Sequence, residues 1–311
     1  MNNIVVTGGK GFLGKSVNTS LTSIGMVHSL GRKEYDLRCP LETKRMYLDL
    51  KPNIVVHLAA TVGGIGANKN NPGLFIEENL IMGYNTIKYA KEYNVDKFLM
   101  LGTVCAYPKH CPVPFKEEDL WNGYPEETNA PYGIAKKTLM QMVQSYSQQY
   151  NFKGLNLIPV NMYGSHDNFN PTSSHVIPAL ILKFQQAIDD NHKDVEIWGS
   201  GKASREFLYV DDCAEAIKLA IEKYDKPDPI NIGTGREITI KDLAITIQNI
   251  MKHKGKIIFN DKYPDGQPRR CLDTSKAESH FGFKAKVSLY EGLSRTIDWF
   301  RKNDYGNTKR L

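Results

Sequence analysis

Ile4-Val5-Val6-Thr7-Gly8-Gly9-Lys10-Gly11-Phe12-Leu13-Gly14 runs from a short β-branched strand through a glycine turn into a helical stretch. Gly8, Gly11 and Gly14 give a GxxGxxG spacing. Glycines so placed allow a tight turn, a close backbone approach to a pyrophosphate and close packing of helix on strand. A glycine triplet alone says little, but the strand before it and the helix after it supply the confirming context. The stretch predicts a dinucleotide cradle built from Gly8, Gly11, Phe12, Leu13 and Gly14.

The chain continues in the same alternation. A second strand is expected over 27–30, ending in Gly31-Arg32-Lys33. An arginine at that strand end can accept a 2′-phosphate, so Arg32, with Lys10 from the glycine loop, favours NADP over NAD. A merely solvated charge cluster is the alternative. Asp36 is placed near the adenine. Asn53–Ala60 reads as the next buried strand, and its end Leu58-Ala59-Ala60 keeps small residues beside the cofactor. His57, inside that apolar run, reads as a core histidine. Thr61–Ile65 is a loop, 79–93 a helix and 97–101 a strand. That strand delivers Thr103 and Cys105 to the ligand-binding edge of the sheet. Thr103 can bond a substrate oxygen, while Cys105 reads either as an inert buried thiol or as a reactive one. Residues 108–131 form a surface excursion, a helix runs from 132 to about 150, and 155–160 is one more parallel strand.

Tyr132 and Lys136, four apart on that helix, share a face. An ammonium near a phenol favours the ionised form, so Lys136 is expected to lower the Tyr132 pKa and fit it for proton transfer. A plain surface pair is the bland alternative. Strand and helix signals alternate from residue 3 to about 160, which means an α/β fold, a Rossmann-type doubly wound parallel sheet. After about 165 the texture changes to a smaller α+β lobe. The expected division is 1–165 for the dinucleotide and 166–311 mainly for substrate, with 205–235 returning to the first part. Helices are expected at 177–188, 213–223 and 240–252, and strands at 195–199 and 256–259.

Composition sets the outer limits. The chain has 311 residues, 41% of them hydrophobic and 24% charged, with a formal charge of +6. These are values of a globular protein, and the surplus charge suits a small anionic ligand. The basic clusters Lys252–Lys256 and Lys309-Arg310 lack interleaved aromatics, which argues against nucleic acid. No apolar run approaches the ~20 residues needed to cross a bilayer. The first residues lead straight into a strand, so no signal peptide is expected. Cys39, Cys105, Cys111, Cys213 and Cys271 lack CxxC spacing, which argues for reduced thiols in the cytoplasm and against zinc or disulfides.

The glycine motif, Leu58-Ala59-Ala60, Thr103 and Tyr132-x-x-x-Lys136 occur in the order found in the extended short-chain dehydrogenase/reductases, which the chain resembles from end to end. Within that group it is similar to the GDP-L-fucose synthases. The likeness rests on Val62-Gly63-Gly64-Ile65, Gly102–Lys109, Tyr163–Phe169, Ser174–Leu180, Trp198-Gly199-Ser200-Gly201 and Arg205-Glu206-Phe207. The resemblance implies NADPH-dependent 3,5-epimerisation and 4-reduction of GDP-4-keto-6-deoxy-D-mannose. It implies Cys105 as base and His175 as acid on opposite ring faces, with His175 also near the cofactor. Tyr132 would protonate the new alkoxide, Lys136 bind the nicotinamide ribose and Thr103 orient the keto oxygen. Arg205, Trp198, Lys183 and Asn161 would bind the GDP-sugar, and a homodimer would form through the helices at 79–93 and 132–150.

Three positions depart from the family pattern. Val104 replaces a second hydroxyl, Lys183 stands where arginine is frequent, and Lys10 occupies a site that arginine can fill. Other readings are an enzyme of a related GDP-4-keto sugar such as a heptose derivative, a non-catalytic NADP-binding regulator, and a 4-epimerase that retains NAD.

Overall fold

The computed structural model of the protein describes residues 2–263, 265–303 and 305. The basic tail Lys309-Arg310 lies outside the described residues. The first half alternates strand and helix: β1 (Asn2–Thr7), α1 (Phe12–Leu21), β2 (Gly25–Leu30), α2 (Pro40–Leu50), β3 (Ile54–His57), α3 (Ile65–Asn70), α4 (Pro72–Glu92), β4 (Lys97–Leu101), α5 (Ala130–Tyr150) and β5 (Gly154–Pro159). The second half brings β6 (Asn161–Tyr163), α6 (Val176–Asp189), β7 (Val195–Trp198), β8 (Ser204–Tyr209), α7 (Val210–Lys223), β9 (Pro229–Ile232), β10 (Glu237–Thr239), α8 (Ile240–Met251), β11 (Ile257–Asn260), α9 (Ser275–Phe281) and α10 (Leu289–Asn303).

The main sheet is parallel, in the order β2-β1-β3-β4-β5-β9. Its strands are apolar on both faces, as helices on both sides require. Val5, Val55, Phe98, Leu99 and Leu157 are fully buried. The strand order reverses between β1 and β3, the switch point at which such sheets open a crevice at their carboxyl ends. Two small sheets, β10-β8-β6 and β11-β7, lie over a second apolar cluster that includes Phe169, Phe184, Ile247 and Phe300.

Several elements go beyond the sequence reading. The helix expected at 79–93 begins at Pro72, preceded by the short α3 in what reads as loop. Proline at a first helical position costs nothing, because its missing N–H has no intrahelical partner there. Strand β9, only four residues long, completes the main sheet. Its Asn231 donates to the carbonyls of Phe115 (2.9 Å) and Asp273 (3.1 Å) and accepts from the Tyr107 hydroxyl (2.7 Å). Its backbone N–H donates to the buried Glu117 carboxylate at 2.9 Å. One buried amide thereby ties the 108–121 excursion and the 271–273 segment to the sheet.

Asn231→Leu strands the Tyr107 hydroxyl and the Asp273 carbonyl, at ~1–3 kcal/mol for each buried polar group left unmade, while the Phe115 carbonyl keeps the Asp273 N–H. The expected result is a clear fall in the urea unfolding midpoint. A midpoint equal to that of the unmodified protein would show that the network is not structural.

Candidate active site

The glycine turn forms as a cradle. Gly8 adopts φ +67°, and a Cβ there would stand 2.8 Å from the Ala59 nitrogen. A Cβ on Gly14 would stand 2.4 Å from the Gly8 carbonyl, so α1 packs directly on the turn. Gly11 caps α1 with no side-chain hydrogen bond, which leaves the first N–H groups of the helix for an anion. Leu13 turns into the core, which leaves only its backbone for a phosphate. Thr7, Gly8, Arg32, Asp36, Ala59 and Ala60 line a cleft of about 230 Å³ at the ends of β1, β2 and β3. These features fit a dinucleotide.

The charges around the cleft are more entangled than their spacing suggests. Arg32 is two-thirds exposed and stands 3.6 Å from Asp36. Lys10 is ion-paired with Glu34, whose carboxyl is held below its ordinary range chiefly by that lysine. Arg38, which the sequence reading did not single out, bridges Asp36 and Glu78. Glu78 comes from α4, forty positions further on, so no local pattern marks the pair. His57 is buried, meets the Thr7 hydroxyl at 2.9 Å and is pushed down to about 3 by burial, as a neutral core histidine should be.

The next group forms where α5 meets the turn after β4. Thr103 caps that turn, its hydroxyl accepting from the Cys105 N–H at 3.2 Å. Tyr132 and Lys136 are both buried on α5. The Lys136 ammonium donates to the Leu101 carbonyl at 3.1 Å, and burial pushes it down to about 8. The expected lowering of the Tyr132 pKa by Lys136 is not what the structure shows. Burial raises the phenol, Cys105 adds to the rise, and the Thr103 hydroxyl is the group that opposes it. A long side chain turned to the end of β4 gives the phenol less help than the four-residue spacing promised.

Cys105 is half-buried, and Arg270 places a guanidinium nitrogen 3.7 Å from its sulfur. Arg270 is 8% exposed and otherwise donates to the Gln267 side chain at 3.1 and 3.2 Å. Sequence reading missed it, because more than 160 positions separate it from the thiol. Its neighbour Arg269 pairs instead with Glu237 at the surface. Val104, the departure from the resembled pattern, is buried and belongs to the main apolar core.

Arg205 donates to the carbonyls of Ser204 (2.7 Å) and Asp265 (3.3 Å). Burial first, and Arg270 second, hold it down to about 10. Lys183 donates to the Glu196 carbonyl at 2.9 Å and stands 5.3 Å from the Trp198 ring centre. Trp198 is 61% exposed. Asn161 spends its amide N–H on the Glu206 carbonyl at 3.1 Å, tying β6 to β8.

His175 stands at the start of α6, on a loop that docks on the segment after β3. Gly64 donates to Ser173 at 3.1 Å, and a Cβ on Gly64 would meet the Ser174 carbonyl at 2.6 Å. The imidazole is open to solvent yet recessed among protein atoms, and this desolvation holds it below the usual histidine range. The same loop carries Asp167. One carboxylate oxygen accepts from the Asn168 N–H at 2.7 Å, while the other is buried without a partner among the described residues. Burial raises this carboxyl to about 7.

Residues 4–233 match the NAD dependent epimerase/dehydratase family. The chain belongs to that family. It is 38% identical to the GDP-L-fucose synthase of Escherichia coli (strain K12) over 311 residues, covering 96% of this chain and 97% of the relative. A GDP-L-fucose synthetase from Naegleria fowleri bound to NADP superposes with a TM-score of 0.90 at 29% identity, over 98% of this chain and 95% of that one. A GDP-6-OMe-4-keto-L-xylo-heptose reductase from C. jejuni superposes equally well, with a TM-score of 0.90, at 30% identity over 97% and 98% of the two chains. Among the described residues no helix is long and apolar enough to cross a membrane.

The Asp167 carboxyl gives a prediction with a definite sign. The folded state holds this proton up to about pH 7, whereas an unfolded aspartate releases it near ~4. Its contribution to stability is therefore present at low pH and lost as the pH rises through that window. Melting temperatures of the unmodified protein and Asp167→Asn should diverge from pH 4 to 7, the variant holding its stability better. Parallel curves would show that the carboxyl titrates normally.

Proposed function

We propose that the protein is an NADPH-dependent cytoplasmic enzyme that converts GDP-4-keto-6-deoxy-D-mannose to GDP-L-fucose, epimerising C3 and C5 and reducing C4. The observation that carries this reading is the run of contacts from Tyr132 through Thr103 to Cys105 and Arg270. It joins a phenol and a thiol, two groups able to move protons, in one chain of contacts. The names of the similar proteins support the choice of sugar.

The 4-ketone acidifies hydrogen on both neighbouring carbons. The Cys105 thiolate takes the proton from C3 or C5: a C–H bond breaks, an S–H bond forms and the electron pair moves to the 4-oxygen. Thr103 bonds that oxygen, and Arg270 keeps a cation beside the sulfur. His175 returns a proton to the opposite face of the ring. Its lowered pKa leaves the ring neutral in the free protein, so it gains this proton only with the anionic substrate beside it. Bound NADPH supplies the hydrogen and the electron pair that reduce C4. Tyr132 then gives its proton to the alkoxide on C4. Its buried phenol holds that proton firmly in the free protein, as a group acting as an acid must. Lys136, held on the Leu101 carbonyl, would bind the nicotinamide ribose and balance the charge left behind.

Residues 1–165 with 205–235 would hold the cofactor, through Gly8, Gly11, Phe12, Leu13, Gly14, Leu58, Ala59, Ala60 and Lys136. Arg32 and Lys10 would take the 2′-phosphate. Arg205 and Arg270 together suit a diphosphate, which accepts charge-assisted bonds from both. Lys183, Trp198 and Asn161 complete the substrate side of 166–311. The likeness to a heptose reductase supports a second reading, the same chemistry on a GDP-4-keto-heptose.

The test is turnover in deuterated water, with NADPH absorbance followed and the product weighed by mass spectrometry. The expected outcome is NADPH loss with deuterium at C3 and C5. Cys105→Ser should abolish the exchange, and Tyr132→Phe should lower reduction by at least about a hundredfold, within the usual range for a lost acid–base group. NADPH loss without exchange would make the protein a simple 4-reductase, and no turnover would favour the heptose substrate.

The outer faces of α4 and α5 expose Leu74, Ile81, Tyr84 and Tyr150, which supports a homodimer through these helices. Light scattering should give twice the chain mass, and Ile81→Glu should halve it. A monomer before mutation would rule the dimer out.

A further inference from the structure

Trp198 and Tyr263 stack face to face, with ring centres 4.4 Å apart and planes 14° apart. The pair is not buried: Trp198 is 61% and Tyr263 41% exposed. Tyr263 lies just after β11, on a segment clasped by Asp265. The Ser200 N–H donates to one Asp265 oxygen at 2.7 Å and the Ser200 hydroxyl to the other at 2.6 Å. Gly199 has φ +85°, and a Cβ there would stand 2.4 Å from Asp265 Oδ1, so the clasp requires glycine. The Asp265 carbonyl also accepts from Arg205. A single clasp therefore fixes an exposed aromatic stack and a half-buried guanidinium next to each other.

From Arg205 the line continues to Arg270, close enough for the two cations to repel, and then to the Cys105 sulfur. The partners of these arginines are backbone carbonyls, the Gln267 amide and a sulfur. A reactive end, a doubly cationic middle and an exposed aromatic end follow in that order. Sugar, diphosphate and nucleobase follow in the same order in a nucleotide sugar, and every base offers a π-face to an aromatic ring.

We propose that Tyr263 is a nucleobase-binding residue, which with Trp198 forms the aromatic subsite that stacks the base of a nucleoside diphosphate held by Arg205 and Arg270. The proposal rests on the function put forward above and adds to it a residue that no sequence motif marks. The aromatic ring, rather than the hydroxyl, carries the effect.

Isothermal titration of the full chain with GDP and with inorganic pyrophosphate separates stacking from loop shape. Tyr263→Ala should weaken GDP about tenfold, the usual scale for one stacked base, and leave pyrophosphate unchanged. Tyr263→Phe should keep the GDP affinity of the unmodified protein. Unchanged GDP binding in Tyr263→Ala would overturn the proposal. An equal loss of both ligands would also overturn it, because it would mean that Tyr263 only shapes the segment that holds Arg205. An unmodified protein that binds no GDP would overturn the function reading itself.

Discussion

The site depends on how closely α5 approaches the turn after β4. A Cβ on Gly133 would stand 2.3 Å from the Cys105 carbonyl, so only glycine lets the helix lie against that turn. Backbone against backbone leaves no flexible side chain to give way. Because of this contact, Tyr132, one position before the glycine, reaches Thr103, and Thr103 in turn holds the Cys105 N–H. The phenol, the hydroxyl and the thiol come from two elements nearly thirty positions apart, and a single absent methyl group lets them come together.

A second constraint brings the C-terminal segments to the same place. Glu206 on β8 is fully buried, and its carboxylate accepts from the N–H groups of Gly235 (2.7 Å), Leu272 (2.7 Å) and Thr234. Burial raises its pKa and these donors oppose the rise. Its own N–H donates to the Arg270 carbonyl at 3.1 Å. A buried carboxylate with several backbone donors is costly to disturb, which makes it a rigid anchor for the segment that presents Arg270 to Cys105. The Asn231 amide does similar work one layer deeper. Together these groups tie β8 and the 270–273 segment to the main sheet through hydrogen bonds, beside the apolar contacts of Leu208 and Leu272 with the core.

Much of this was legible in the sequence. The glycine turn, the β-branched strands β1 and β3, the apolar run of β4, and the four-residue spacing of Tyr132 and Lys136 are local signals, and local structure followed them. What stayed hidden was long-range. Arg38 is defined by Glu78 on another helix, Arg270 by a thiol near the other end of the chain, and Tyr263 by a stack with Trp198. None of these has a short-range pattern. Strand β9 is too short to announce itself, and α10 had no motif to draw attention to it. The effect of Lys136 on Tyr132 was misjudged for a related reason. Spacing gives the face of a helix, but burial and the direction of a long side chain decide which partner the charge serves.

The most direct test of this account is a crystal structure of the protein with NADP and GDP bound together. It should show the nicotinamide ring against Tyr132 and Lys136, the GDP diphosphate on Arg205 and Arg270, and room for a sugar ring between Cys105 and His175. A diphosphate bound away from both arginines, or a nicotinamide ring remote from Tyr132, would contradict the claim that these residues form one reactive site.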